Sequence, residues 1–159
     1  MPSITALLHT ENDALRLGRC LETAYPCDHM LVVDHGSRDD SVTVARYYGA
    51  RVITAVPGAD PAHYLRLADP AWILCLDPRE SVSESLAADL YEWKLRAGTP
   101  SAPAFSVFLR EERANGWVQM PHAQTRLVPS NWNRWQGFLP RADEHAVAFE
   151  GELLRFAFP

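Results

Sequence analysis

Residues 31–41 read LVVDHGSRDDS. Three apolar residues run into Asp34, a turn through Gly36 and Ser37 follows, and Asp39 and Asp40 crowd the start of the next segment. A short apolar run bounded by turn residues has the pattern of a buried strand. Gly36 permits a tight turn, and Ser37 or Asp39 can cap a helix over RDDSVTVARYYGA. In that helix Val42, Ala45, Tyr48 and Ala50 fall near helical spacing, and Gly49 supplies the stop. The same unit recurs on both sides. SITALLHT (residues 3–10) reads as a buried strand. ENDALRLGRCLETA reads as a helix capped by Asn12 or Asp13, with Ala14, Leu15, Leu17 and Leu21 on one face and Pro26 closing the unit. RVITA is a third strand. Residues 57–70 read as a loop with a short helix. AWILCLD is a fourth strand, again ending on an aspartate, Asp77. SVSESLAADLYEWKLRAG is a helix capped by Ser81 or Ser83, turning Leu86, Leu90, Trp93 and Leu95 toward a core, with Gly98 and Pro100 ending it.

Strand and helix alternate up to Pro100, which predicts a mostly parallel sheet flanked by helices, an α/β fold. Beyond it, APAFSVFLREE, GWVQMP, AQTRLVP and LLRFAF read as strands with little room for crossovers, so a small antiparallel C-terminal part is expected. The 159 residues suit one domain. A hydrophobic content of 47% and a charged content of 22% are ordinary for a globular chain. The net charge of −5 argues against nucleic acid or an anionic membrane as the partner. Cys20, Cys27 and Cys75 form no disulfide framework and no C-x-x-C pair for zinc, and fit a reducing cytoplasm. No apolar run nears the roughly 18 residues of a membrane span. The beginning, MPSITALLHT, has no basic leader and reads as strand rather than signal peptide.

Ligands of open α/β sheets bind beyond the carboxyl ends of the strands. Asp34 and Asp77 both end such strands and are expected to face one crevice. Asp before Gly-Ser is also ordinary turn chemistry, and Asp39 and Asp40 complement a helix dipole, so a purely structural role stands beside the binding one. No G-x-x-x-x-G-K, G-x-G-x-x-G or G-x-S-x-G motif is present. Trp132, Trp135 and Phe138 in SNWNRWQGF suit either sugar stacking or the core of a small sheet, and core is the expectation. His122 and His145 have no metal-ligand spacing.

ITALLHTEND, LVVDHGSRDDS and AWILCLDPRE, in that order, resemble the family-two glycosyltransferases of the GT-A fold, with the bacterial lipopolysaccharide-core transferases as the nearest subgroup. The resemblance spans about residues 3–98 and is faint beyond Pro100. It implies a single GT-A-like domain over residues 1–159, with a nucleotide-binding half (1–99) and a reduced acceptor-side half (100–159). It also implies a sugar transfer from a nucleotide-sugar donor, uridine-type or related, to a hydroxyl acceptor, in synthesis of cell-surface polysaccharide or lipopolysaccharide. By position, Asp34 meets the base or ribose, Thr10, Glu11 and Asn12 edge the pocket, and Gly36 and Ser37 shape its floor. Asp77 matches the first acid of Asp-x-Asp, the motif that holds Mn or Mg against the diphosphate. The second acid is replaced by Arg79 in Asp77-Pro78-Arg79-Glu80. Three readings follow: Glu80 substitutes as metal ligand beside Asp77, Arg79 itself neutralises the diphosphate, or the site has lost metal and chemistry and the chain is a nucleotide-binding scaffold. Asp143 and Glu144, with His145, are the candidates for the catalytic base. A homodimer through edge strands of the second half is a further expectation.

Overall fold

The computed structural model describes residues 2–68, 72–96 and 101–159. Strand β1 (Ile4–Thr10), helix α1 (Ala14–Thr23), β2 (His29–Asp34), α2 (Ser41–Tyr47) and β3 (Arg51–Thr54) follow the alternation in the sequence. A one-turn helix α3 (Ala62–Leu65) and strand β4 (Trp72–Leu76) come next. Strand β5 (Glu80–Val82) takes Ser81 and Val82 from the stretch expected as helix, so Ser81 is no cap, and the long helix α4 (Glu84–Leu95) starts later. The second half contributes β6 (Phe105–Arg113), β7 (Gly116–Gln119), β8 (Gln124–Pro129), the short β9 (Trp135–Gln136) and β10 (Leu139–Pro140), and β11 (Val147–Arg155). The expected helix stop at Gly98 and Pro100 lies outside the described residues.

Nine strands form one sheet, ordered β3-β2-β1-β4-β8-β6-β11-β5, with β7 paired to β6. Strands β1, β2, β3, β4, β6 and β11 run one way, and β5, β7 and β8 run the other. The sheet is therefore mostly parallel, as the alternation predicted. The strands beyond Pro100 extend it through β8, which pairs antiparallel with β4. Strands β9 and β10 make a separate antiparallel hairpin.

Side-chain alternation sorts the core into two faces. Ile4, Ala6 and Leu8 of β1 meet Leu17, Cys20 and Leu21 of α1, Ala45 of α2 and Leu86 and Leu90 of α4. Leu7, Val33, Ile73 and Cys75 on the other face meet Tyr64 and Leu65 of α3 and Trp132. Each fully buried leucine stabilises the fold by about 2 kcal/mol.

Helix α4 is capped by Ser83, whose hydroxyl accepts from Leu86 N–H at 3.1 Å. Two expected core positions are corrected. Leu15 is 82% and Leu95 76% exposed. The buried stripes run through Leu17 and Leu21, and through Leu86, Leu90 and Lys94, at four-residue steps that leave Leu15 and Leu95 off the seam. Lys94 lays its stem along that seam and donates to Asp28 at 2.9 Å and to the Pro26 carbonyl at 3.1 Å. Gly151 lets β11 cross α4 closely: a Cβ there would sit 2.3 Å from Leu86 N.

Candidate functional site

The registers bring the acidic strand ends to one edge. Thr10 of β1 lies opposite Asp34 of β2, and Leu8 opposite Leu76 of β4, so one further step sets Asp77 level with His9. Neighbouring strands lie about 4.8 Å apart, which separates the Asp34 and Asp77 backbones by about 10 Å with β1 between them.

The turn after β1 and the turn after β2 are stitched together by short polar side chains. Asn12, in a left-handed conformation (φ 57°), donates its N–H to Ser37 Oγ at 2.9 Å and accepts from Arg38 N–H at 2.7 Å. Ser41, fully buried, accepts from Asp13 N–H at 2.8 Å and donates to Asp39. Asp39 also accepts from Ala14 N–H, so it caps α1 from the neighbouring turn. The Ser41 hydroxyl, then weaker backbone bonds, hold the Asp39 carboxyl below its ordinary pKa. The expected caps hold in part: Asp39 Oδ1 accepts from Ser41 N–H at 3.0 Å at the start of α2. Asp13 occupies the cap position of α1, but its carboxylate turns back to Thr10 Oγ1 and Glu11 N–H. Ser37 is drawn to Asn12 rather than onto α2. Gly36 turns the chain at φ 80°.

Asp34 is 8% exposed. Its Oδ2 accepts from Ser37 N–H at 3.3 Å, while Oδ1 is buried and has no hydrogen-bond partner among the described residues. Buried carboxylate oxygens are normally satisfied, and Oδ1 is an exception among the described residues. Glu11 and Asn12 are exposed above it, and Thr10 is buried beside it.

Around Asp77 every carboxylate is engaged. Arg79 donates Nε to Asp77 Oδ1 at 3.0 Å and Nη2 to Oδ2 at 3.2 Å, and its N–H adds a bond to Oδ1 at 2.9 Å. Burial raises the Asp77 pKa, but the Arg79 bonds and charge, with Arg155, outweigh it and hold the group below its ordinary value. Glu80 faces inward. Its Oε1 and Oε2 accept from Arg126 Nη1 and Nη2 at 2.6 and 2.8 Å, both side chains are 0% exposed, and Oε1 also accepts from Asp77 N–H at 2.9 Å. Burial alone would lower the Arg126 pKa, and the Glu80 charge reverses the direction. Arg126 reaches this position from a bulge. Phe105 pairs with Leu127 and Ser106 with Thr125, leaving Arg126 the extra residue.

The aromatic expectation divides. Trp132 is core at 5% exposed, whereas Phe138 is 47% exposed and stacks on His9 at 4.2 Å and 12°. His9 Nδ1 lies 2.8 Å from His35 Nε2, one ring donating to the other, and Tyr64 meets His9 edge-on. Burial first, and the His35 charge second, lower the His9 pKa to about 4. The sequence motifs passed over His9 and His35, which sit inside them as ordinary strand-end residues. Arg126 left a readable trace, a charge inside the apolar strand AQTRLVP, which demands a buried partner.

Asp143 and Glu144 follow the β9–β10 hairpin. Asp143 N–H donates to Thr125 Oγ1 at 3.0 Å, which ties this segment to β8. The His145 N–H bond, then Arg134, keep the Asp143 carboxyl below its ordinary pKa. Glu144 is exposed and pairs with His145 at 3.3 Å.

A divalent cation does not fit these side chains as they stand. Asp77 offers both oxygens to Arg79, Glu80 offers both to Arg126, and no cluster of three or more His, Cys, Asp or Glu among the described residues is arranged to hold a metal. No described helix is long and apolar enough to cross a membrane.

No family profile matches the chain. An uncharacterised glycosyltransferase of Rickettsia felis is 33% identical over 96 residues, 57% of this chain and 33% of the relative. Among solved structures, glucosyl-3-phosphoglycerate synthase from Mycobacterium tuberculosis, in complex with Mn2+, UDP and glucosyl-3-phosphoglycerate, superposes at a TM-score of 0.54 with 17% identity, over 69% of this chain and 44% of that one. The same enzyme has been crystallised with Mn2+, UDP-glucose and phosphoglyceric acid. S. aureus TarS superposes at 0.52 with 13% identity, over 80% of this chain and 28% of that one. The chain thus spans about a third of the curated relative and under half of these solved chains. The resemblance carried by the three motifs holds at the level of fold.

Proposed function

We propose, from the GT-A glycosyltransferase fold of this chain, that it binds a nucleotide-sugar donor over the carboxyl ends of β1, β2 and β4 and transfers the sugar to a hydroxyl acceptor. One observation carries the reading: the buried Asp34 Oδ1 has no donor among the described residues. Leaving such an oxygen unpaired costs about 1–3 kcal/mol or more, and a base N–H or ribose hydroxyl removes that cost. Thr10, Glu11, Asn12, Gly36 and Ser37 surround this oxygen's turn and form the nucleoside side of the site. Asp77 and Arg79, on the next strand but one, form the diphosphate side. Of the two candidate bases, Glu144 suits proton transfer better, because Asp143 is committed to Arg134 and its lowered pKa makes it a poor proton acceptor. Residues 1–99 then act as the donor half and 100–159 as the acceptor side of one domain. A bacterial cytoplasmic setting, in cell-surface polysaccharide or lipopolysaccharide synthesis, belongs to the same proposal.

Thermal melting with uridine, UDP and UDP-glucose tests it. A ligand at a hundred times its Kd adds about 2.7 kcal/mol, an increase in Tm of about 5–10 °C for a chain of this size. Wild type is expected to show such an increase with UDP, and Asp34→Ala to lose it. An equal increase in Asp34→Ala refutes the assigned pocket. No increase with any nucleotide refutes donor binding and leaves a scaffold role.

A further inference from the structure

We propose that Arg79 does the work of a divalent cation in this site, neutralising the donor's diphosphate so that the chain binds and activates its donor without metal. This rests on the nucleotide-sugar reading above.

Charge balance carries it first. Two carboxylates with a bound dication sum to zero. Asp77 with Arg79 also sums to zero, with no ion added. The Glu80–Arg126 pair beneath them is neutral as well and fully enclosed, so neither acid of the turn is left to attract a cation. Geometry carries it second. A guanidinium has five N–H donors. Arg79 spends its Nε donor and one from Nη2 on Asp77, and its remaining donors have no side-chain partner among the described residues. Its side chain is 40% exposed. The group that shuts Asp77 to a metal therefore turns a fork of donors outward, held in place by the carboxylate behind it. The adjoining cleft of about 380 Å3 is lined by Arg79, Arg155, Glu111, Glu112, Phe156 and Ala157. Its two acids are occupied: Glu111 pairs with Arg113, and Glu112 accepts from Ala157 and Phe158 N–H.

In the transfer, the bond between the anomeric carbon and the diphosphate oxygen breaks, and its electron pair leaves with that oxygen. The acceptor oxygen forms the new bond to the anomeric carbon and gives up its proton to a base or to water. The nucleoside diphosphate gains one negative charge, which the outward N–H groups of Arg79 receive. Preorganised donors of this kind lower the barrier because they already point where charge develops. A planar fork suits phosphate oxygens better than an ammonium does.

Isothermal calorimetry with uridine and UDP, in EDTA and in Mn2+, tests this on wild type, Arg79→Gln and Arg79→Asp, with Mn2+ alone followed by electron paramagnetic resonance. In wild type, UDP is expected to bind about ten- to a hundredfold tighter than uridine in EDTA, changing less than about threefold in Mn2+. Arg79→Gln loses that advantage and keeps uridine binding. Arg79→Asp, with its paired acids restored, captures free Mn2+ that wild type leaves in solution. Tight Mn2+ capture by wild type, or a UDP affinity that needs Mn2+ and ignores Arg79→Gln, overturns the proposal. Should neither uridine nor UDP bind, the nucleotide reading is what fails. Inorganic pyrophosphate then decides for Arg79: binding lost in Arg79→Gln supports its role as a diphosphate receptor, and equal or absent binding overturns it.

Discussion

The Glu80–Arg126 pair offers a quantitative test of how the turn beneath Asp77 is held. Glu80→Met leaves a guanidinium fully buried, hydrogen-bonded to Gln124 Oε1 and the Cys75 carbonyl but to no charged partner. Arg126→Met strands the Glu80 carboxylate with the Asp77 N–H. Removing one partner of a buried pair costs about 3–5 kcal/mol, against a total stability for such a domain of about 5–15 kcal/mol. With a urea dependence of about 2 kcal/mol per molar, each single variant should lower the unfolding midpoint by about 2 M. Replacing both residues removes both charges together, so Glu80→Met/Arg126→Met should recover most of the loss. About 1 kcal/mol stays missing for the Asp77 N–H left without its acceptor. Urea unfolding followed by tryptophan fluorescence completes the double-mutant cycle. A loss below about 1 kcal/mol in either single variant, or a double variant whose loss equals the sum of the singles, refutes the buried pair as the anchor of this turn.

Three further outcomes are expected. His9 holds a pKa of about 4 in the folded protein against an ordinary 6.5, so the unfolded chain binds the extra proton between those values. Its contribution is complete above pH 6.5 and is lost as pH falls toward 4, up to about 3 kcal/mol in all. Chemical denaturation across that range should show the loss, His9→Gln should flatten it, and Phe138→Ala should raise the His9 pKa seen by NMR. Ser41→Ala removes the hydroxyl joining Asp13 to Asp39; it should cost about 1–2 kcal/mol in urea unfolding and let the Asp39 pKa rise toward its ordinary value. Gly151→Ala drives a Cβ into the α4 backbone at Leu86 and should cost about 3 kcal/mol or more, with a matching fall in Tm.

The first half of the fold was legible because its signals are local. Apolar runs ending at Asp34 and Asp77, with turn residues behind them, fix strand direction, and the helices between leave a parallel sheet as the solution. Strand β2 (His29–Asp34) ends on Asp34, where the apolar run LVVD places its end. Strand β5 was not legible: three residues carry no periodicity, and ESV becomes strand only because β11 lies beside it. The parallel pairing of β11 with β6 is likewise set by contacts distant in sequence. At the site, strand-end acids could be read from the chain, but their partners could not. The sequence Asp77-Pro78-Arg79-Glu80 offers three acid or base groups within four residues. Only the buried Arg126, from a bulge well along the chain, decides that Glu80 turns inward. Arg79 then remains as the charged group hydrogen-bonded to Asp77, with one side toward solvent.

The β4–β8 ladder has a mechanical meaning. A hinge needs a boundary that few backbone hydrogen bonds cross. Here the strands bearing Asp34 and Asp77 are knitted through β8 to β6 and β11 without a seam. The two halves cannot swing apart like jaws unless that ladder is unzipped. The parts of the rim outside that ladder are the crossed turns around Asn12 and Ser37, and the hairpin whose tip rests Phe138 on His9.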